Sequence, residues 1–164
     1  MKAVALRALI VLGAALALGA VDVGVVGKER IRRDGEIVYL PLAPVDPRSL
    51  IQGDYMALRF ALANDLERRD QAAGHEKREG EAAFAAVALD DKHVASLAAD
   101  GAPVALKLRY RIRGGRIWLG TNAFFFEEGT ADRFKGARYG EFRVDRGTGE
   151  AVLVGLRGAG LEAM

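Results

Sequence analysis

The sequence predicts a mainly β protein: an N-terminal transmembrane helix, then an antiparallel β-sandwich or small open barrel with one or two short helices. Three observations carry this. Residues 8–27 form an apolar run whose only charge is Asp22. Val104, Leu106, Leu108, Tyr110 and Ile112 alternate with Ala105, Lys107, Arg109, Arg111 and Arg113, the period of a half-buried strand. Further short apolar segments follow at strand length, separated by Gly-rich turns, as in sandwiches and small barrels. The chain divides into an anchor, residues 1–27, and one β domain, residues 28–164, a size that suits a single core. The net charge of +2 is too small to signal a polyanion partner. With no Cys, disulfides, thiolate metal sites and cysteine catalysis are excluded.

Taken in order, the apolar run comes first. As a helix it would reach roughly 30 Å, the thickness of the hydrocarbon layer. Ala8 to Val21 would also serve as a signal-peptide core behind Lys2 and Arg7. Its one small-x-small site, Ala15-Leu16-Ala17, lies well inside the run, and cutting there would leave Leu18 to Val26 at a new N-terminus. An uncleaved, single-pass anchor is therefore expected. Lys2 and Arg7 favour a cytoplasmic N-terminus, whereas Lys28, Arg30, Arg32 and Arg33 favour the reverse, so basic residues alone leave the orientation open. Asp22 reads as an interfacial, solvated acid.

Strands are expected at Ile37–Ala43, Tyr55–Leu62, Ala82–Leu89 and Val104–Arg113. Gly114-Gly115 is a tight-turn dipeptide leading into a strand from Arg116 to Gly120. Glu141 to Asp145 alternates, Arg146-Gly147-Thr148-Gly149 turns the chain, and Ala151–Leu156 follows with Val152, Val154 and Leu156 on one face. Asn64–Glu81 reads as a short helix plus an exposed loop. Thr130–Tyr139 reads as a second helix, with Thr130 as its cap, Asp132 in the first turn and Gly136 weakening it.

The densest motif runs from Pro44 to Phe60 and contains Asp46-Pro47-Arg48-Ser49-Leu50-Ile51-Gln52-Gly53-Asp54-Tyr55. Pro47 biases Asp46 to an extended conformation, so Asp46 caps a single helical turn with Pro47 at its first position. Gly53 supplies a left-handed exit, Asp54 accepts from nearby amides, and Tyr55 opens the next strand. Arg48 pairs with Asp46 or Asp54 in this reading. The motif is then a device for joining two strands at a fixed angle. In the functional alternative, Asp46, Arg48, Asp54 and Tyr55 converge in a cleft where two carboxylates divide acid and base roles, as in a hydrolase.

Gly53, Asp54, Tyr55 and Leu58, with Phe60 in place of a final Tyr, resemble the signature of the GDYXXLXY family. Gly115 to Tyr139, through Phe124-Phe125-Phe126-Glu127-Glu128-Gly129, is also similar to that family. The resemblance implies a membrane-anchored bacterial protein of the inner membrane, with its domain on the periplasmic side and a multi-pass membrane protein as partner. It brings no biochemical activity with it. Gly53-Asp54 also bears a looser similarity to the turn of signal-peptidase-like enzymes. Ser49 stands too close to that turn to be the nucleophile, and no Lys follows until Lys77, so a peptidase is argued against.

The remaining candidates are weaker. His75 and His93 lack the spacing of a triad or a zinc site. Asn122, Glu127 and Glu128 offer oxygen ligands for a cation but read as a solvated turn. The basic row Lys107, Arg109, Arg111 and Arg113 could meet nucleic acid or anionic headgroups. It is not interleaved with aromatics, so nucleic acid is not expected. Its simpler reading is a solvated face paired across to Glu141 and Asp145. Phe124 to Phe126 reads as core with one exposed ring, or as an interaction patch if the rings are exposed together. The expectation is a membrane-tethered, non-enzymatic binding or accessory module. Its binding residues would be Asp46, Arg48, Asp54, Tyr55 and Phe125, with no catalytic residue, cofactor or metal.

Overall fold

The computed structural model describes residues 2–43, 51–52, 55–74 and 79–164. Helix α1, Lys2–Asp34, carries the apolar run. Among the described residues it is one helix long and apolar enough to span a membrane. It does not stop at residue 27. It continues to Asp34, and its last turn is part of the domain: Ile31 is buried, the Ile31 carbonyl accepts from the Gly35 amide, and Arg143 donates to the Gly35 carbonyl.

The domain that follows is mainly β, as expected. Strands β1 (Glu36–Pro41), β9 (Tyr139–Val144) and β10 (Ala151–Arg157) form an antiparallel sheet in the order β1-β9-β10. Strands β4 (Ala82–Leu89), β5 (Ala95–Leu97), β6 (Leu106–Arg113) and β7 (Arg116–Trp118) form a second, in the order β5-β4-β6-β7. A small third sheet contains β2 (Ile51–Gln52), β3 (Tyr55–Ala57) and β8 (Ala123–Phe125). The first two sheets touch at both ends. The Tyr39 amide donates to the His93 carbonyl beside β5, and the Arg109 amide of β6 donates to the Gly149 carbonyl just before β10. The result is a curled half-barrel. Helix α2 (Ala61–Ala72) packs Leu62, Ala63 and Leu66 into it, and its Glu67 carboxylate accepts the Ile117 amide of β7. One core joins these layers, centred on Phe142, Leu40, Val38, Leu108 and Val87.

Several strands lie where the alternation puts them. β4 has the expected limits, and β6 alternates buried Leu106, Leu108, Tyr110 and Ile112 with the basic row. Gly114 and Gly115 both have positive φ, as a two-residue hairpin turn requires. Other expectations are corrected. The strand expected over Tyr55–Leu62 ends at Ala57, because Phe60 turns inward to bridge Leu42 and its carbonyl receives the first amides of α2. That helix therefore starts before Asn64, and no side chain caps it. The helix expected over Thr130–Tyr139 is a single 3-10 turn, Ala131–Phe134, since Tyr139 is taken by β9. The Thr130 hydroxyl does not cap it but donates back to the Glu127 carbonyl.

Val152, Val154 and Leu156 do not share a face. A bulge between Leu153 and Gly155 leaves Val154 without a partner on β9, so the inward positions shift from Leu153, opposite Phe142, to Leu156, opposite Gly140. The basic row does not pair with Glu141 or Asp145 either. β6 lies between β4 and β7, whereas Glu141 is on β9 in the other sheet. There Glu141 pairs with Arg157, and the Asp145 carboxylate accepts the Thr148 amide and hydroxyl. Those bonds, the amide first, hold the Asp145 carboxyl below its usual range.

The Gly149 contact closes the half-barrel, and it leaves no room for a side chain. Gly149 has φ +69°, and a Cβ there would stand 2.7 Å from the Lys107 carbonyl oxygen and 3.1 Å from the Arg109 nitrogen. Gly129 has φ +78° with nothing within 4 Å. Gly129→Ala should therefore cost only the left-handed strain, about 1–2 kcal/mol. Gly149→Ala should cost at least about 1 kcal/mol more, because β6 and the start of β10 must separate. Denaturation of the two variants in detergent checks the ranking; equal costs would mean that the contact is not sealed.

Candidate functional site

The sequence-expected binding residues divide into two groups. Asp46, Arg48 and Asp54 lie outside the described residues, as do the Asp46 cap, the Gly53 exit, Ser49, His75 and Lys77. Tyr55 and Phe125 lie on the paired strands β3 and β8, directly opposite one another. Their ring centroids are 5.8 Å apart and tilted by 40°. Phe125 is 74% exposed. Phe124 and Phe126 turn the other way and pack on Phe134, with centroids at 5.0 and 5.4 Å. The strand period thus separates the three phenylalanines, leaving one exposed ring beside Tyr55 in place of a three-ring patch.

Next to this pair is a cleft of about 620 Å³ between β6, β7, β8 and the start of β10. Its cationic wall is Arg109, Arg111 and Arg113, joined by Lys28 from α1. Trp118 and Phe125 supply aromatic surface, and Glu150 is the one carboxylate among its described lining residues. Glu150 organises one end. It accepts from the Lys28 ammonium at 2.8 Å and from the Arg109 guanidinium at 3.3 Å. The Lys28 hydrogen bond, then the nearby charges of Lys28, Arg109 and Arg111, hold the Glu150 carboxyl below its usual range against partial burial. At the other end Arg113 stacks over Trp118, 5.2 Å from its ring centroid. Arg111 lies between them, exposed, with no ion-pair partner among the described residues.

Residue-type reasoning named Arg109, Arg111 and Arg113 but missed Lys28, Trp118 and Glu150. The signal for Lys28 was available, since it is the first charge after the apolar run. Nothing local to Glu150 placed it against β6; that follows from the Gly149 contact. The cation set Asn122, Glu127 and Glu128 is not drawn into one pocket. Asn122 lines a smaller pocket of about 200 Å³ with Arg59, Glu67 and Arg116, and its buried Oδ1 has no hydrogen-bond partner among the described residues. Glu127 and Glu128 are exposed. His93 is exposed and adopts φ 61° to deliver its carbonyl to β1.

No curated protein and no solved structure matches this chain. The family model described as GDYXXLXY protein matches residues 17–156, from within α1 to the end of the core sheet, and the chain belongs to that family.

Proposed function

We propose that this protein is a membrane-tethered, non-enzymatic β domain that acts as an accessory or binding module for a multi-pass membrane protein. It sits in a bacterial inner membrane, N-terminus inside and domain on the periplasmic side, with residues 1–27 retained as the anchor. The observation that carries the reading is the continuity of α1 with the domain. Ile31 is buried, Lys28 pairs with Glu150, and Arg143 bonds the Gly35 carbonyl. A flexible linker would let the domain tumble, whereas a junction tied by these contacts restricts how the domain turns relative to its helix. A tethered domain so restricted binds a neighbour at high effective concentration. Tyr55 and the exposed Phe125 supply an aromatic anchor of the kind that centres binding sites.

The test is photocrosslinking in native membranes from the exposed position 127, two residues from Phe125, with rescue of the deletion phenotype as the second readout. Phe125→Asp is expected to remove a crosslink to a multi-pass protein and to fail in rescue while remaining folded. Asp54→Asn, which keeps the shape and removes the charge, is expected to rescue. If Asp54→Asn folds and crosslinks normally but does not rescue, the signature acid has a chemical role and the reading is wrong.

A further inference from the structure

We propose that the cleft walled by Arg109, Arg111, Arg113 and Lys28 binds the phosphate headgroup of an anionic lipid in the leaflet from which α1 emerges. The proposal rests on the anchor reading above but needs no protein partner.

Depth is the first argument. Val23, Val25 and Val26 are all more than 60% exposed, so the apolar helix stands clear of the domain up to that point. Lys28 follows two positions later, about 3 Å along the axis. The headgroup region on each side of the hydrocarbon is roughly 5–8 Å deep. Lys28 therefore lies at headgroup level, and Lys28 is a wall of the cleft. The Lys28 end of the cleft is thus at the depth of lipid phosphates.

Charge is the second. Four cations face one carboxylate, and that carboxylate is already shared by Lys28 and Arg109. Arg111 feels the charge of Glu150 but forms no ion pair with it or with any other described carboxylate, and Arg113 is stacked on Trp118 with no ion-pair partner among the described residues. A guanidinium fork matches two phosphate oxygens, and two such forks on alternate positions of one strand present a preformed anion cradle. The third argument is the rim. Phe125 lines the same cleft and is exposed, so an apolar ring is available to acyl chains beside the charged wall.

The single tryptophan of the chain, Trp118, lines the cleft and reports on it. The experiment uses the full chain in phosphatidylcholine nanodiscs made with increasing phosphatidylglycerol, read by Trp118 emission. A saturable change is expected. Arg111→Gln should require about fivefold more phosphatidylglycerol, the loss expected for one cation near an anionic surface. Glu150→Gln should require less, because it frees Arg109 and Lys28. Lys107→Gln should titrate like the parent, since Lys107 belongs to the same basic row but lines a different pocket. Equal losses for Lys107→Gln and Arg111→Gln would replace the site with diffuse surface charge and overturn the proposal. The same emission change on adding inorganic phosphate to pure phosphatidylcholine discs would assign the cleft to a free anion and overturn the lipid. Co-purification with the discs but no saturable response overturns this proposal alone. Failure to co-purify overturns the anchor reading, and this proposal with it.

Discussion

Phe142→Ala is expected to lower stability by about 3–5 kcal/mol, the usual cost of emptying a fully buried aromatic site. Phe142 is 0% exposed at the centre of β9, the middle strand of its sheet. It faces Val38 on β1 and Leu153 on β10, and its ring meets Phe60 edge-on with centroids 5.3 Å apart. The surroundings have little freedom to collapse into the space. Phe60 is tied by its bridge to Leu42, and the bulge fixes where Leu153 ends and Leu156 begins. Even the neighbouring Gly140 has no slack, as a Cβ there would lie 3.0 Å from both the Phe60 and Phe142 rings. The expected fall in melting temperature is roughly 10 °C or more, given the usual entropy of unfolding for a domain of this size. Circular dichroism of the full chain in detergent, followed in the β region, measures it. A loss under about 1 kcal/mol would mean that the core repacks freely and that this assignment of its centre is wrong.

The parts of this fold that could be read from sequence are those decided locally. The N-terminal helix, long and apolar enough to span a membrane, is legible because Asp22 is the only charge in its apolar run. β4, β6 and the Gly114-Gly115 turn are legible because a period of two and two consecutive glycines each point to one answer. β5 and β8 are not, since three residues carry no period, and β8 is held by pairing to β3, far away in the chain. The bulge at Val154 is invisible for a similar reason: an extra residue exists only relative to a partner's register. The basic row shows the same limit at the site. Its cations were evident, but their partners depend on strand order. Glu150 reaches Arg109 because the turn before β10 docks on β6, whereas Glu141 is held in another sheet. The signature acids Asp46 and Asp54 lie outside the described residues; among the described ones, the cleft is lined by Lys28 and by segments far along the chain.

Glu141 and Arg157 carry the second large effect, and it is asymmetric. Glu141 is the one charged residue buried among those described, with a side chain only 9% exposed, while the Arg157 side chain is 25% exposed. The Arg157 Nε donates to Glu141 Oε2 at 2.5 Å. Removing the arginine leaves a sealed carboxylate without its counter-charge; removing the glutamate leaves a guanidinium that can turn toward water. Arg157→Met should therefore cost about 2–4 kcal/mol, and Glu141→Leu about 1 kcal/mol. The double variant should lie nearer the parent than Arg157→Met does, because two apolar side chains of similar volume owe nothing to solvation. A double-mutant cycle on chemical denaturation in detergent supplies all four values. A coupling energy of at least about 1 kcal/mol is expected for residues in direct contact. Simple additivity, or a larger loss from Glu141→Leu than from Arg157→Met, would show that water reaches Glu141 and that its burial is not what makes the pair matter.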